Sequence, residues 1–189
     1  MHTPSAQDSS HLLGLYLNDH LAGSSAGLEL LNRAAKAHDG RPLGPQLERL
    51  AREVEQDRES LKEIMGSLEV PVRRSRAALG WLGEKAGRLK LNGRLFLRSP
   101  LSDVIELEAM RLGVEGKRSC WRSLRSLADG DDRLDKAQLA WLLDRAEEQA
   151  ETLERLRTMC ALRVFAPGSN ARTQAAGPSV GQSLPRGAF

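Results

Sequence analysis

Four segments of similar length carry the apolar periodicity of an amphipathic helix, and this repetition limits the folds open to the chain. In the second segment, the positions at spacings of three and four are Leu47, Leu50, Val54, Asp57, Leu61, Ile64 and Leu68. In the fourth, they are Leu139, Leu142, Ala146, Gln149, Leu153, Leu156 and Cys160. This spacing is typical of helices that pack side by side, and a strand does not produce it.

The patterns predict helices over residues 10–38, 43–69, 100–128 and 136–163. The expected boundaries coincide with residues that end or begin helices, namely Gly40, Pro71, Pro100 and Asp135. At 1.5 Å per residue, each helix is about 40 Å long. Helices of matched length bury one another along their whole length, so we expect an all-α, up-and-down bundle of four helices.

The lengths of the connections predict the topology. The first two helices are joined by a few residues, and so are the last two, so each pair is expected to form an antiparallel hairpin. Residues 70–99 form one long crossover between the hairpins, which is the ferritin-like arrangement. Within it we expect a short extra helix, or a two-stranded ribbon around Asn92 and Gly93. Outside the bundle of residues 10–165, we expect a flexible N-terminus over residues 1–9 and a disordered tail over residues 166–189.

Composition and charge narrow the class of protein. Hydrophobic residues make up 40% of the chain and aromatic residues only 4%, and a net charge of +3 is too small to indicate a nucleic-acid partner by itself. No apolar run has the length needed to cross a membrane, and the first residues lack the features of a signal peptide. The two cysteines, Cys120 and Cys160, have no metal-ligand spacing. We therefore expect a cytoplasmic protein with reduced thiols and no membrane partner.

Several stretches resemble an uncharacterised family of ferritin-like bacterial proteins that is common in high-GC actinobacterial genomes. They are residues 16–23 (YLNDHLAG), 84–94 (EKAGRLKLNGR), 98–102 (RSPLS) and 113–117 (GVEGK). The resemblance touches most of the chain before the tail and implies the four-helix bundle. It implies no reaction, because the family has no established activity.

The pattern of metal ligands in ferritin-like oxidases is missing from the sequence. Those enzymes use a Glu on each of two helices and a Glu-x-x-His on each of the other two. This chain contains no Glu-x-x-His, and its histidines all lie in or before the first helix. We therefore predict no cofactor. The alternative is a reduced iron or manganese site built from polar residues on inward stripes, namely His20, Glu53, Asp57 and Glu108.

The hairpin register argues against that alternative. A turn near Arg41 places Asp57 opposite about residue 25, about 7 Å along the helix from His20. For Asp57 we expect instead a buried carboxylate hydrogen-bonded to Ser24 or Ser25, because a buried charge needs partners. For His20 we expect a half-buried position near the end of the bundle.

Small residues cluster at the middle of the predicted helices, namely Gly23, Gly27, Gly113, Gly116, Ala146 and Ala150. Small side chains let backbones approach closely, so we predict a closely packed waist at this level. The alternative is that the glycines leave room for a ligand.

The crossover is the most basic part of the chain, with eight basic residues and one acid between residues 72 and 98. On a helix, four of its residues would share one face, namely Arg74, Trp81, Lys85 and Arg88. Basic groups around an aromatic ring suit an anion or a nucleic acid. The alternative, which we favour, is that the crossover packs on acidic faces of its own bundle.

The leading functional hypothesis is therefore a non-catalytic helical bundle that acts as a scaffold or interaction protein. We expect a homodimer, with an unknown protein partner as a further option. The runner-up is a divergent ferritin-like protein that binds a metal or a small ligand. The third hypothesis is anion or nucleic-acid binding through the basic crossover.

Overall fold

The computed structural model describes residues 6–73 and 99–166. In these two ranges the chain forms only helices, namely α1 (Ala6–Ala37), α2 (Gly44–Ser67), α3 (Pro100–Leu127) and α4 (Lys136–Phe165). For these residues, the prediction of an all-α fold with four long helices is confirmed. The extra helix or ribbon expected in the crossover lies outside the described residues, and so do residues 1–5 and 167–189 of the two expected flexible ends. Residues 6–9, which were expected to be flexible, form the start of α1 instead.

The chemistry of the turns explains where two helices begin. The Asp135 side chain caps α4, because its Oδ1 accepts hydrogen bonds from the backbone N–H groups of Ala137 (2.8 Å) and Gln138 (3.1 Å). This cap was predicted from the sequence and is confirmed. At Gly44, the first residue of α2, an added Cβ would lie 2.5 Å from the carbonyl oxygen of His38, so this position accepts only glycine.

Contacts between helix ends establish the directions of the helices. Near the start of α1, the Tyr16 hydroxyl lies 3.4 Å from Ser123 Oγ at the end of α3. At the other end, His38 Nε2 lies 3.0 Å from Asp103 Oδ1 in the first turn of α3. Helix α3 therefore runs antiparallel to α1.

The ends of the connection between α2 and α3 lie at opposite ends of the bundle. The Asn18 amide donates to the carbonyl oxygen of Pro71 (3.1 Å), and the backbone N–H of Arg73 donates to Asn18 Oδ1 (2.6 Å). These bonds hold residue 73 beside the first half of α1. Ser99 precedes α3, whose first turn lies beside His38 at the far end of α1.

The core lies along the apolar stripes of all four helices. Its fully buried side chains include leucines from every helix and one large aromatic residue, Trp121. Close backbone approach joins α1 to α2, α3 to α4 and α1 to α3. Among the described residues, the backbones of α2 and α4 approach each other much less closely than these three pairs. No helix in the two described ranges combines the length and apolarity needed to cross a membrane.

The predicted close packing at the four waist glycines is wrong. A Cβ added at Gly23, Gly27, Gly113 or Gly116 would meet no neighbouring atom within 4 Å. Between Leu21 and Leu31, every residue of α1 is at least partly exposed. Glycine permits close approach but does not cause it, and here the neighbouring helices do not use the space. Only the two alanines of the predicted waist, Ala146 and Ala150, are buried.

The open space at the waist predicts that alanine is tolerated there. We expect Gly113→Ala and Gly116→Ala each to raise the free energy of unfolding by about 0.5–1 kcal/mol, because alanine loses less backbone entropy in a helix. Urea denaturation measures this change. Gly44→Ala is the matched control and should lower stability, because its Cβ would overlap the His38 carbonyl. A loss of stability in both waist variants would contradict the open geometry.

A buried polar network as candidate functional site

Asp57 is the centre of a polar network inside the bundle. It lies on the apolar stripe of α2, between Val54 and Leu61, and only 2% of its surface is exposed. Lys117 from α3 donates to Asp57 Oδ2, and Arg145 from α4 donates to Asp57 Oδ1. Each oxygen of the carboxylate thus has its own cationic partner. Such charge-assisted hydrogen bonds are about twice as strong as neutral ones.

Gln149 of α4 completes the centre and is 1% exposed. Its Oε1 accepts a hydrogen bond from the Lys117 ammonium group. Its Nε2 donates to Asp57 Oδ2 and to Glu53 Oε2, at 3.2 Å each. The amide therefore has one orientation that satisfies all of these partners, and it links the two carboxylates of α2.

Arg145 links the buried centre of the network to residues nearer the surface of α2 and α4. Its guanidinium also donates to Gln56 Oε1 at 3.0 Å. The same group lies 3.9 Å from the centroid of the half-exposed Trp141 ring, in a cation–π contact. The side chain of Arg145 is only 10% exposed. These contacts hold the guanidinium in one position on the carboxylate.

The network contains two carboxylates, Glu53 and Asp57, and two cations, Lys117 and Arg145, and Glu53 also lies 3.8 Å from the exposed Arg49. Burial lowers the pKa of the Lys117 ammonium group below its usual value. Arg145 lowers it further, while the charges of Asp57 and Glu53 oppose the shift and raise it. Burial outweighs the carboxylates, so the folded protein holds the Lys117 proton less tightly than the unfolded chain does.

The lowered pKa of Lys117 predicts an unusual dependence of stability on pH. Between the folded pKa and the ordinary lysine value of about 10.4, the unfolded chain binds more protons, so this group makes stability rise with pH. We expect the stability of the wild type relative to Lys117→Met to increase as pH rises toward that value. Urea denaturation at a series of alkaline pH values measures the difference. A constant difference would show that the proton of Lys117 is not linked to folding.

The predicted hydrogen bonds from Asp57 to Ser24 or Ser25 are wrong. The hydroxyls of Ser24 and Ser25 donate to the carbonyl oxygen of Leu21, at 2.7 and 3.2 Å. Ser25 Oγ also accepts from Arg58 Nε at 3.1 Å. Asp57 takes its partners from α3 and α4 because their long cationic side chains reach across the bundle and bring full charge.

The structure brings together only two of the four residues in the predicted metal site. Glu53 and Asp57 are linked through Gln149. The half-buried ring of His20 instead lies edge-to-face on Tyr16, with 4.5 Å between centroids, and burial lowers its pKa. Glu108 is exposed and lies 3.7 Å from Arg157. In the described part of the chain, neither His20 nor Glu108 joins the network.

The residues at the centre do not fit the two-metal site of ferritin-like oxidases. Both oxygens of Asp57 are engaged by cations of the protein. A divalent ion there would be repelled by the Lys117 ammonium and the Arg145 guanidinium. Within residues 6–73 and 99–166, no group of three His, Cys, Asp or Glu side chains has the arrangement to hold a metal ion.

The remaining candidates from the sequence divide into two groups. The proposed anion-binding residues Arg74, Trp81, Lys85 and Arg88 lie outside the described residues. The two cysteines are buried and unpaired. Burial raises the pKa of the Cys120 thiol to about 12 and also raises the pKa of Cys160. Thiols with raised pKa values are poor nucleophiles.

Sequence reasoning missed Lys117 and Arg145. A signal for Lys117 was present, because it lies three residues after the buried Val114 and four before the buried Trp121. A lysine at such a position on an apolar stripe is buried, and burial of its charge is unfavourable unless an acceptor binds the ammonium group. Arg145 likewise lies three residues after Leu142 and four before Gln149.

Comparisons with known proteins identify no relative of the chain whose function could explain this network. No protein-family model, no curated protein and no solved structure matches the chain.

Proposed function

We propose that the chain is a non-catalytic helical bundle of ferritin-like topology that acts as a scaffold or interaction protein. The observation that carries the proposal is the saturation of Asp57 by Lys117, Arg145 and Gln149. Ferritin-like oxidases bind their metals through carboxylates that project into the core of the bundle. Here the protein's own cations hold the carboxylate, so it offers no free oxygen to a metal and no obvious base to a substrate.

Exposed apolar side chains support a role in binding other proteins. Large ones with at least half of their surface exposed occur on three of the helices, namely Leu12, Leu112, Trp141, Leu162 and Phe165. Side chains of this kind are available to contact another protein, and aromatic residues are enriched in such contact surfaces. We propose that the chain forms a homodimer in the cytoplasm, and the two unpaired thiols agree with a reducing compartment.

Metal analysis tests the non-catalytic assignment. The full chain is purified without a metal-affinity tag, and its iron, manganese and zinc are measured per chain. We expect substoichiometric amounts that do not change in Glu53→Gln, whose side chain is partly exposed and lies at the edge of the network. A stoichiometric metal that is lost in Glu53→Gln would favour the divergent metal-binding alternative instead.

Light scattering after gel filtration tests the second part of the proposal. We expect a mass of two chains at micromolar concentration, and a monomer at all concentrations would contradict the homodimer. Binding of labelled duplex DNA at low salt, weakened by Arg74→Ala, would favour the third hypothesis. That hypothesis concerns residues 74–98, so the described contacts provide no support for it.

A further inference from the structure

The buried network takes its negative and positive charges from different hairpins. The carboxylates of Glu53 and Asp57 come from α2 in the first hairpin. The ammonium, guanidinium and amide groups of Lys117, Arg145 and Gln149 come from α3 and α4 in the second. Every hydrogen bond from α3 and α4 to these two carboxylates therefore joins one hairpin to the other.

The apolar core alone leaves the pairing of the hairpins underdetermined. The stripe of α2 places Leu47, Val54, Leu61 and Leu68 at intervals of seven residues. A slip of α2 by seven residues, about 10.5 Å, would again set apolar side chains against apolar side chains. Cores built mainly from leucine specify their packing poorly. At mid-height, α1 offers mostly small side chains that are partly exposed, so it adds little steric restraint there.

The network penalises these alternative arrangements. A slip would move Asp57 away from Lys117 and Arg145 and leave buried charges without partners, which is strongly unfavourable. Pairing of two first hairpins would bring carboxylates together, and pairing of two second hairpins would bring cations together. Only the observed pairing, in the observed register, satisfies both oxygens of Asp57 and both ends of the Gln149 amide.

We infer that the network of Asp57, Lys117, Arg145 and Gln149 selects which hairpin faces pack together and in which register. Its role is selection among compact arrangements, because a buried ion pair adds little net stability over apolar residues of similar volume. The packing of α2 on α4 depends on it most, since this pair is not among the three helix pairs with close backbone approach.

The test replaces the four side chains together in the full chain, as Asp57→Leu, Lys117→Met, Arg145→Met and Gln149→Leu. We expect the helical circular dichroism signal to remain. For the wild type we expect a single set of amide resonances, and for the variant broadened or multiple peaks, increased binding of a hydrophobic dye, or mixed oligomers. These changes would report several arrangements of similar energy.

The matched control replaces a polar pair within one hairpin, Arg118→Met with Glu147→Leu, because that pair joins α3 to α4. It should keep one set of resonances and the oligomeric state of the wild type. The inference is overturned if the four-residue variant also keeps one sharp set of resonances and an unchanged oligomeric state. Loss of its helical signal would equally overturn the inference, because the network would then be needed for folding itself.

Discussion

Asp57→Ala is expected to lower the free energy of unfolding by about 3–5 kcal/mol, because removing one partner of a buried ion pair leaves the others uncompensated. Asp57 is 2% exposed and has hydrogen bonds from both Lys117 and Arg145. In the variant, the Lys117 ammonium and the Arg145 guanidinium would share a buried site without the carboxylate that bonds to both. Urea denaturation monitored by circular dichroism at neutral pH measures the effect.

The matched control for this prediction is Glu59→Ala, two residues further along α2. Glu59 is an exposed acid that pairs with Lys62 at 2.8 Å. Water screens exposed pairs of this kind, so the control should change stability little. Added acetate should partly restore Asp57→Ala by supplying a carboxylate to the two cations. Equally small effects of Asp57→Ala and Glu59→Ala would contradict the prediction. They would show that water solvates Lys117 and Arg145 when Asp57 is absent.

The stability effects at this site should be asymmetric. Lys117→Met leaves Asp57 with hydrogen bonds from Arg145 and Gln149, whereas Asp57→Ala leaves two cations without their anion. Burial already disfavours the charged form of Lys117, as its lowered pKa indicates. The lysine substitution should therefore cost less than the aspartate substitution. A double-mutant cycle between the two residues would measure their coupling directly.

The sequence predicted the helices because their periodicity is local. The 3–4 spacing of apolar residues in α2 and α4 and the Asp135 cap each depend on residues a few positions apart. The inward positions of Asp57 and Gln149 followed from the same spacing. Their partners did not follow, because the contact of Asp57 with Lys117 depends on the register between helices 60 positions apart in sequence.

The prediction of close packing at the waist was wrong for a different physical reason. Small side chains remove an obstacle to close packing, but the distance between two helices depends on all of their contacts together. In this bundle the side-chain contacts with α3 include Tyr16 of α1 with Ser123, and His38, just after α1, with Asp103. A Cβ added at any of the four glycines at mid-height would meet no neighbouring helix within 4 Å. The centre contains long polar side chains from the other three helices.

Trp121→Ala is expected to have an effect of similar size, because Trp121 is the largest fully buried side chain in the core. Truncation of a buried tryptophan to alanine leaves a large cavity and lowers the free energy of unfolding by about 3–5 kcal/mol. Part of this cost should be offset, since the buried indole N–H has no hydrogen-bond partner among the described residues and is removed with the ring.

Trp141→Ala is the matched control, because its ring is 53% exposed and contacts the Arg145 guanidinium. An exposed cation–π contact is worth about 0.5–1 kcal/mol, so this variant should unfold at a slightly lower urea concentration than the wild type. The Trp121 variant should unfold at a much lower concentration. A larger loss of stability in Trp141→Ala than in Trp121→Ala would contradict the prediction. It would mean that the contacts around Arg145 stabilise the bundle more than the burial of Trp121 in the core does. The two variants therefore measure separately how much of the stability comes from apolar packing and how much from the contacts around Arg145.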